Sequence, residues 1–240
     1  LNGKGWIPSI LPQIEQKTIY DQMNFKGDFN SNGGMKDPSP VMRGIAKQII
    51  PSLHCPSDPN SLAPSTTCAQ WEGIEVATTN YKGCIGDTRM GGGASTFQGT
   101  EPDCHNQAKC NGLFWRNDYM FPSRAERWPD GQSNTFMLGE DVPEHNVHSA
   151  WLYSNGDYAS CHAPLNYMPF TPTPGNWPNV ISFRSRHKTG ANFCMGDGSV
   201  HFVNDTVDQQ TYRAVSTRER QISTTPTPYT EVIPQMELLY

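Results

Sequence analysis

Residues 183–203 read FRSRHKTGANFCMGDGSVHFV, and this stretch decides how the end of the chain folds. The apolar runs at 192–195 and 200–203 flank the four residues Gly-Asp-Gly-Ser at 196–199. Aspartate hydrogen-bonds within its own turn and glycine accepts a positive φ, so these four residues favour a tight turn. The stretch therefore predicts a β-hairpin in which Asp197 and Gly198 are turn residues, with no requirement for a catalytic role.

A second pattern in the same stretch carries a family resemblance. His187 is followed by nine residues and then by Asp197-Gly198, and this motif resembles a bacterial prepilin-type domain family of unknown function that is abundant in planctomycete-like bacteria. Other segments resemble the same family in the expected order, between about residue 6 and residue 220. They are the opening at 6–25, Cys-Pro-Ser-Asp-Pro at 55–59, Thr-Asn-Tyr at 79–81, Asp-Gly-Gln-Ser-Asn-Thr-Phe-Met-Leu-Gly-Glu at 130–140 and the closing segment at 212–218.

The resemblance implies an α+β fold of pilin-like arrangement, in which an N-terminal helix packs on an antiparallel β-sheet with long irregular loops. The sequence is compatible with such a helix over 5–26, because Ile10 and Ile14 lie one helical turn apart. Residues 1–222 are predicted to form one pilin-like domain. The segment 223–240 is predicted to be a C-terminal arm, because it is rich in proline and threonine.

The remaining elements follow from apolar runs between turn-forming residues. Strands are predicted at 52–55, 133–140, 150–153, 192–195 and 200–203. Helices are predicted at 42–48 and 208–218, the second with Thr206 or Asp208 as its N-cap. Glycine, proline and asparagine predict long loops at 86–112 and 154–180.

The composition points to a protein outside the cytoplasm. Charged residues make up 17% of the 240 residues, against about 25% in ordinary soluble domains. The formal net charge of −5 gives no basic surface for nucleic acid. Seven cysteines are many for a reducing cytosol and indicate an oxidising compartment, so the predicted location is periplasmic, cell-surface or secreted.

Cys104 and Cys110 are close enough in sequence to close a small disulfide loop, whereas the pairing of the other five cysteines stays open. No run of 18 or more apolar residues is present, so nothing in the sequence is long enough to span a membrane. Full-length relatives begin with a prepilin leader and a long hydrophobic helix. We therefore interpret the chain as a processed or truncated ectodomain that would meet a membrane only through that missing helix.

Motifs of known enzymes are absent from the sequence. There is no nucleophile elbow, no His-Glu-x-x-His, no phosphate-binding loop and no haem attachment motif. A hydrolase would have to use His187, with Asp197 brought near it by the hairpin, but no second catalytic group is indicated. A structural role for His187 is the favoured interpretation. The three neighbouring Cys–His pairs lack the ligand spacing of zinc sites, so disulfides explain the cysteines more simply.

Asparagine and aspartate on tight loops raise the possibility of calcium. Carboxylate, amide and carbonyl oxygens are the ligands that Ca²⁺ takes, and the same residues are typical of plain turns, which is the favoured interpretation. The candidate ligands are Asp130, Asn134, Asp197 and Asp205.

Tryptophan is frequent between the predicted elements, where it could stack on sugar rings, anchor a protein partner or cover the core. The four tryptophans considered for binding are Trp115, Trp128, Trp151 and Trp177.

These observations predict a non-enzymatic, extracytoplasmic pilin- or pseudopilin-like subunit of a surface filament or secretion-type assembly. Its expected partners are further copies of itself or other pilin-like subunits. A module that binds a surface polysaccharide or another polymer is the alternative, and a hydrolase that uses His187 is the third hypothesis.

Overall fold

The computed structural model of the chain describes residues 3–71, 73–104, 110–116, 128–168 and 173–219. The predicted C-terminal arm at 223–240 lies outside these residues. The described part is a mixed α+β structure with five short α-helices and one five-stranded sheet. Among the described residues, none of the helices has both the length and the apolar character that a membrane span requires.

The N-terminal segment is a series of short helical turns, so the prediction of one helix over 5–26 was wrong. Helix α1 spans Trp6–Ile10, a 3₁₀ helix covers Leu11–Ile14, and α2 spans Lys17–Tyr20. Glu15 adopts a left-handed conformation with φ of 63°, and its backbone N–H bonds to the carbonyl of Leu11. Such a residue ends a right-handed helix, which is why the apolar spacing does not continue as one rod.

Of the other three helices, α3 and α5 have side-chain N-caps. Helix α3 spans Pro40–Ala46 with Ser39 as its N-cap, and α4 spans Trp177–Val180. Helix α5 spans Gln209–Val215, and the carboxylate of Asp208 accepts a hydrogen bond from the backbone N–H of Thr211. Asp208 is therefore the N-cap of α5, and Thr206 is not.

The sheet has the strand order β3-β1-β2-β4-β5. The strands are Tyr81–Cys84 (β1), Phe136–Glu140 (β2), Tyr158–Ala159 (β3), Gly190–Met195 (β4) and Val200–Asn204 (β5). All neighbouring pairs are antiparallel except β1–β3, which is parallel. The sheet is thus mixed, because β3 reaches the far edge of the sheet through a long connection.

The β4–β5 hairpin confirms the prediction from the opening stretch, and β2 and α5 lie within their predicted ranges. Two predicted strands were wrong. Pro51–Leu53 form a 3₁₀ helix, in which the N–H of His54 bonds to the carbonyl of Pro51. At 150–153 the chain makes only isolated bridges, since the N–H of Tyr153 bonds to the carbonyl of Ala150 and closes a turn.

One face of the sheet carries the polar side chains of Tyr81, Glu140 and Asn192, and we call it the cleft face. Strand register places Tyr81 opposite Glu140 and Asn192 opposite Phe202, and alternate residues of a strand share a face. A second row lies two residues further along, with Leu138 opposite Cys194. The cleft face consists of Tyr81, Gly83, Leu138, Glu140, Asn192, Cys194, Val200 and Phe202.

Two apolar cores lie on the two sides of the sheet. The first lies against the face opposite the cleft face, and includes Phe136, Phe193 and the α5 residue Tyr212. The second collects the N-terminal turns, α3 and the segment around Trp151, with Leu138 and Phe114 packed against it. The second core therefore covers the cleft face at its β1 side and leaves the β4–β5 side open.

Gly83 shows how closely that cover approaches the sheet. A Cβ at this position would lie 2.6 Å from the ring of Phe114. The Phe114 ring in turn packs on Trp6 of α1, with ring centroids 5.2 Å apart. Only glycine lets the aromatic ring lie directly on the backbone of β1, and this fixes the N-terminal segment against the sheet.

Candidate functional site

The side chain of His187 lies against the cleft face, at the start of β4. Its Nε2 atom lies 3.5 Å from Oε1 of Glu140 and 3.2 Å from the amide nitrogen of Asn192. The carboxylate partner of His187 is therefore Glu140 at the end of β2. The expectation that the hairpin would bring Asp197 to His187 was wrong, because Asp197 lies in the turn at the other end of β4.

Cys55 is the third member of this group. Its Sγ atom lies 3.4 Å from Oε1 of Glu140. One ligand-type atom from each of Cys55, Glu140 and His187 lies within 4.8 Å of the other two. Cys55 and Glu140 are buried, whereas His187 is at the rim with about a third of its side chain exposed. We refer to these three residues as the Cys–Glu–His cluster.

The segment that carries Cys55 is held by a buried amide. The Oδ1 atom of Asn80 accepts the backbone N–H of Cys55 at 3.0 Å, and its Nδ2 group donates to a carboxylate oxygen of Asp58 at 2.9 Å. The Asn80 amide also donates to the carbonyl of Asp141, next to Glu140. One asparagine thus ties the cysteine turn to the end of β2, and buried amides bonded on both sides are rigid.

The loop that carries His187 is fixed to the same cysteine turn. The guanidinium of Arg186 lies 3.4 Å from Asp58 and also pairs with Glu144. Behind it, the hydroxyl of Ser185 accepts the backbone N–H of His187 at 3.2 Å, and the N–H of Ser185 bonds to Asn166. The contacts of Ser185 and Arg186, the two residues before His187, therefore fix the backbone that carries the histidine.

Glu140 is fixed by β4. The backbone N–H of Asn192 donates to its Oε2 atom at 2.7 Å, one position along from the pairing of Gly139 with Phe193. Hydrogen bonds from backbone N–H groups to a carboxylate hold it in one orientation. Glu140 therefore faces Cys55 and His187 in a defined geometry.

A cleft of about 350 Å³ opens beside the cluster. Its floor is the cleft face of the sheet, and the polar groups that reach it are Tyr81, Glu140 and Asn192. The apolar part of its lining includes Leu138, Cys194 and Val200. A small molecule or a solvent ligand in this cleft would lie next to the carboxylate of Glu140.

Burial perturbs two acids of the site. Burial is the main cause that raises the pKa of the Cys55 thiol, and the carboxylate of Glu140 adds to it. The pKa of the Tyr81 hydroxyl is also raised, first by burial and then by Cys55 and Glu140. In the absence of a cation, Cys55 is therefore a neutral thiol at neutral pH.

A fully buried group of charges lies beside the cluster. Asp141 follows Glu140 and lies 3.3 Å from Nζ of Lys82 and 3.4 Å from Nε of Arg184. Asn146 and Ser149 donate further hydrogen bonds to its carboxylate. Burial lowers the pKa of Lys82 and of Arg184, and Asp141 opposes that shift in both. This group holds β1, the end of β2 and the 182–184 segment together.

The four predicted calcium ligands lie in three turns of the chain. Asp197 is exposed in the hairpin turn, and its Oδ1 accepts the backbone N–H of Ser199 at 2.9 Å and the hydroxyl of the same residue at 2.7 Å. These bonds lower the pKa of the Asp197 carboxyl. Asp205 lies beyond the far end of β5 and accepts a hydrogen bond from Asn166. The hairpin thus places Asp197 and Asp205 at opposite ends, about 17 Å apart by the rise of a five-residue strand.

Asp130 and Asn134 lie together before β2, where the amide of Asn134 donates to the carbonyl of Asp130. This is the hydrogen bond of a turn.

The four tryptophans considered for binding are buried or half-buried. Trp115 and Trp151 are buried, one in each core, so little of either ring faces solvent. Trp177 is half-buried against the first core, and the half-buried Trp128 lies beside Gly196 at the hairpin turn.

Cys104 and Cys110 form a disulfide, as predicted. Cys55, Cys84, Cys161 and Cys194 are not in disulfides, and the first three are buried. Sequence reasoning identified His187 through its motif but missed that Cys55 and Glu140 join it. The signal was present, since both residues belong to segments that share the family resemblance.

The model of a family described as a protein of unknown function (DUF1559) matches residues 2–210 of the chain. No curated protein and no solved structure matches it.

Proposed function

The chain belongs to the DUF1559 family, and we propose that it is the globular domain of an extracytoplasmic, non-enzymatic pilin-like subunit that assembles with further copies of itself or with similar subunits. The open side of the cleft face carries this proposal. Val200 is 65% exposed and Phe202 is 39% exposed, and the two side chains are neighbours on the same face of β5.

The positions of Val200 and Phe202 are the reason why their exposure indicates an interface. Single exposed apolar residues are ordinary on protein surfaces, whereas adjacent ones next to an apolar cleft are typical of interfaces. β5 is also the last strand in the sheet order, so one of its edges has no neighbouring strand in the described sheet. An edge strand with an apolar face is a place where a second chain can add.

Other features support a location outside the cytoplasm. The disulfide between Cys104 and Cys110 belongs in an oxidising compartment. The low content of charged residues agrees with it. A pilin-like subunit also fits a sheet that has its N-terminal helical segment packed on one face. The polymer-binding alternative has less support, because the four tryptophans it would use are buried or half-buried.

The proposal is tested by sedimentation velocity over a range of protein concentrations. We expect the chain to self-associate, and the double variant Val200→Ser with Phe202→Ser to shift the distribution to monomer. The matched control replaces Val41 and Leu62 by serine, because each is 51% exposed and lies outside the hairpin. Self-association that is unchanged in the hairpin variant, or a chain that stays monomeric throughout, would contradict assembly through this face.

A further inference from the structure

We propose that Cys55, Glu140 and His187 form a binding site for one Zn²⁺ ion, with the fourth coordination position open to the cleft. Thiolate, imidazole and carboxylate are the three ligand types that zinc takes in proteins. A set that includes sulfur and nitrogen selects zinc over calcium or magnesium, which prefer oxygen alone. This site is distinct from the aspartate turns considered for calcium.

The distances match a tetrahedral site. With metal–ligand bonds of about 2.0–2.3 Å, the edges of a zinc tetrahedron are about 3.4 Å from nitrogen to oxygen and about 3.6 Å from sulfur to oxygen. The observed contacts are 3.5 Å from His187 to Glu140 and 3.4 Å from Cys55 to Glu140. The third edge, from the sulfur of Cys55 to a ring nitrogen of His187, lies within 4.8 Å and would have to close to about 3.6 Å for the three atoms to share one ion.

The Cys–Glu–His cluster brings three possible metal-ligand atoms together, namely a nitrogen, an oxygen and a sulfur. One ring nitrogen of His187, one carboxylate oxygen of Glu140 and the sulfur of Cys55 lie within 4.8 Å of one another. The amide nitrogen of Asn192, which can only donate, also points at Nε2 of His187. That contact favours the histidine tautomer with an unprotonated Nε2, whose lone pair would pass from the Asn192 amide to the metal on binding. A Zn²⁺ ion would bind the imidazole and the carboxylate directly and the sulfur as a thiolate, with the thiol proton of Cys55 released to solvent.

Each ligand is held by a hydrogen bond from a different part of the chain. Asn80 positions the backbone of Cys55, Ser185 positions that of His187, and Asn192 holds the carboxylate of Glu140. Outer contacts of this kind orient the ligands of metal sites and reduce the cost of ordering them on binding. The cleft beside Glu140 leaves room for a water molecule as the fourth ligand.

The test uses the full chain without a metal-binding tag, stripped with a chelator and titrated with Zn²⁺ against a chromophoric competitor. We expect one equivalent to bind. Cys55→Ser and His187→Gln should each weaken binding by more than about 100-fold, since loss of an outer contact alone costs about 10–100-fold. Cys194→Ser is the matched control, because this cysteine lines the same cleft but is not in the cluster.

Cobalt provides an independent readout. Co²⁺ bound through Cys55 should give a near-ultraviolet thiolate charge-transfer band that is absent in Cys55→Ser and retained in Cys194→Ser. Zn²⁺ should also raise the melting temperature of the wild type and of Cys194→Ser, because a ligand that binds only the folded state stabilises it. If Cys55→Ser does not fold, the rim variant His187→Gln decides the matter alone. Absence of zinc binding, or binding that is unchanged in His187→Gln, would overturn the site in favour of a His187–Glu140 ion pair.

Discussion

Gly44 and Gly198 both have open space where a side chain would begin, but their backbone conformations differ. An ideal Cβ at Gly198 or at Gly44 would meet no atom within 4 Å. Gly198 has φ of 87° in the hairpin turn, whereas Gly44 lies inside α3. We expect Gly198→Ala to lower the free energy of unfolding by about 1–2 kcal/mol, because an L-residue is strained in the left-handed region. Gly44→Ala should raise it by about 0.5–1 kcal/mol, because alanine favours the helix.

Urea denaturation of the two variants measures both effects against the wild type. Each serves as the control of the other, since both add one methyl group in open space. If Gly198→Ala were neutral, the turn would not require a positive φ at this position. The hairpin would then owe its form to the flanking strands rather than to Asp197-Gly198.

The same residues show what could be predicted of the candidate site. The turn chemistry of 196–199 is local, so it could be predicted from four letters. The partner of His187 could not, because Glu140 is 47 positions away and reaches it only through the register of β2 on β4. Asp197 was the nearest carboxylate in the motif, but a hairpin separates residues at its two ends by the length of the strand.

Among the elements, β4, β5 and α5 could be predicted because their apolar pattern or cap is contained in the segment itself. β1 was missed since it reads Tyr-Lys-Gly-Cys, with a lysine that is fully buried. This buried lysine pairs with Asp141, which is 59 positions away, and donates to the carbonyl of His148. β3 has only two residues and pairs in parallel with β1. A strand of this length leaves no apolar pattern in the sequence from which it could be predicted.

The dependence of β1 on that ion group gives a second prediction. Asp141→Ala should destabilise the protein by about 3–5 kcal/mol, because it removes the carboxylate that pairs with both buried cations, Lys82 and Arg184. Chemical denaturation measures the loss, and circular dichroism reports whether the fold persists. Asp21→Ala is the control, because its partner Lys17 is exposed on α2 and such surface pairs contribute about 0–1 kcal/mol.

Equal losses in the two variants would contradict this assignment. If Asp141→Ala cost no more than Asp21→Ala, Lys82 and Arg184 would have to be neutral or hydrated in the folded chain. The sheet would then not depend on the ion group for the placement of β1 beside β2.

For the molecule as a whole, acid sensitivity follows from buried histidine. His162 is buried, and its Nε2 atom lies 2.8 Å from the carbonyl of Pro178, to which it donates when neutral. Burial lowers the pKa of this imidazole to about 4. The hydrogen bond from His162 to Pro178 links the segment after β3 to α4. Protonation of His162 would place a positive charge in the interior.

The direction of the pH effect follows from linkage. Between pH 6.5 and about 4 the unfolded chain binds a proton at His162 that the folded chain does not. Stability is therefore complete above pH 6.5 and is lost as the pH falls towards 4, by up to roughly 3 kcal/mol from this residue. His54 and His145 have lowered pKa values for the same main reason, burial, and act in the same direction.

His162→Gln isolates the contribution of one side chain to that loss. Glutamine keeps an N–H donor for the carbonyl of Pro178 but does not titrate, so we expect a shallower fall in the free energy of unfolding between pH 6.5 and 4. Urea denaturation at a series of pH values measures the slope. His201→Gln is the control for the substitution itself, because this histidine is half-exposed on β5. A slope as steep in His162→Gln as in the wild type would show that other groups carry the acid response. The link between the post-β3 segment and α4 would then not depend on the protonation state of His162.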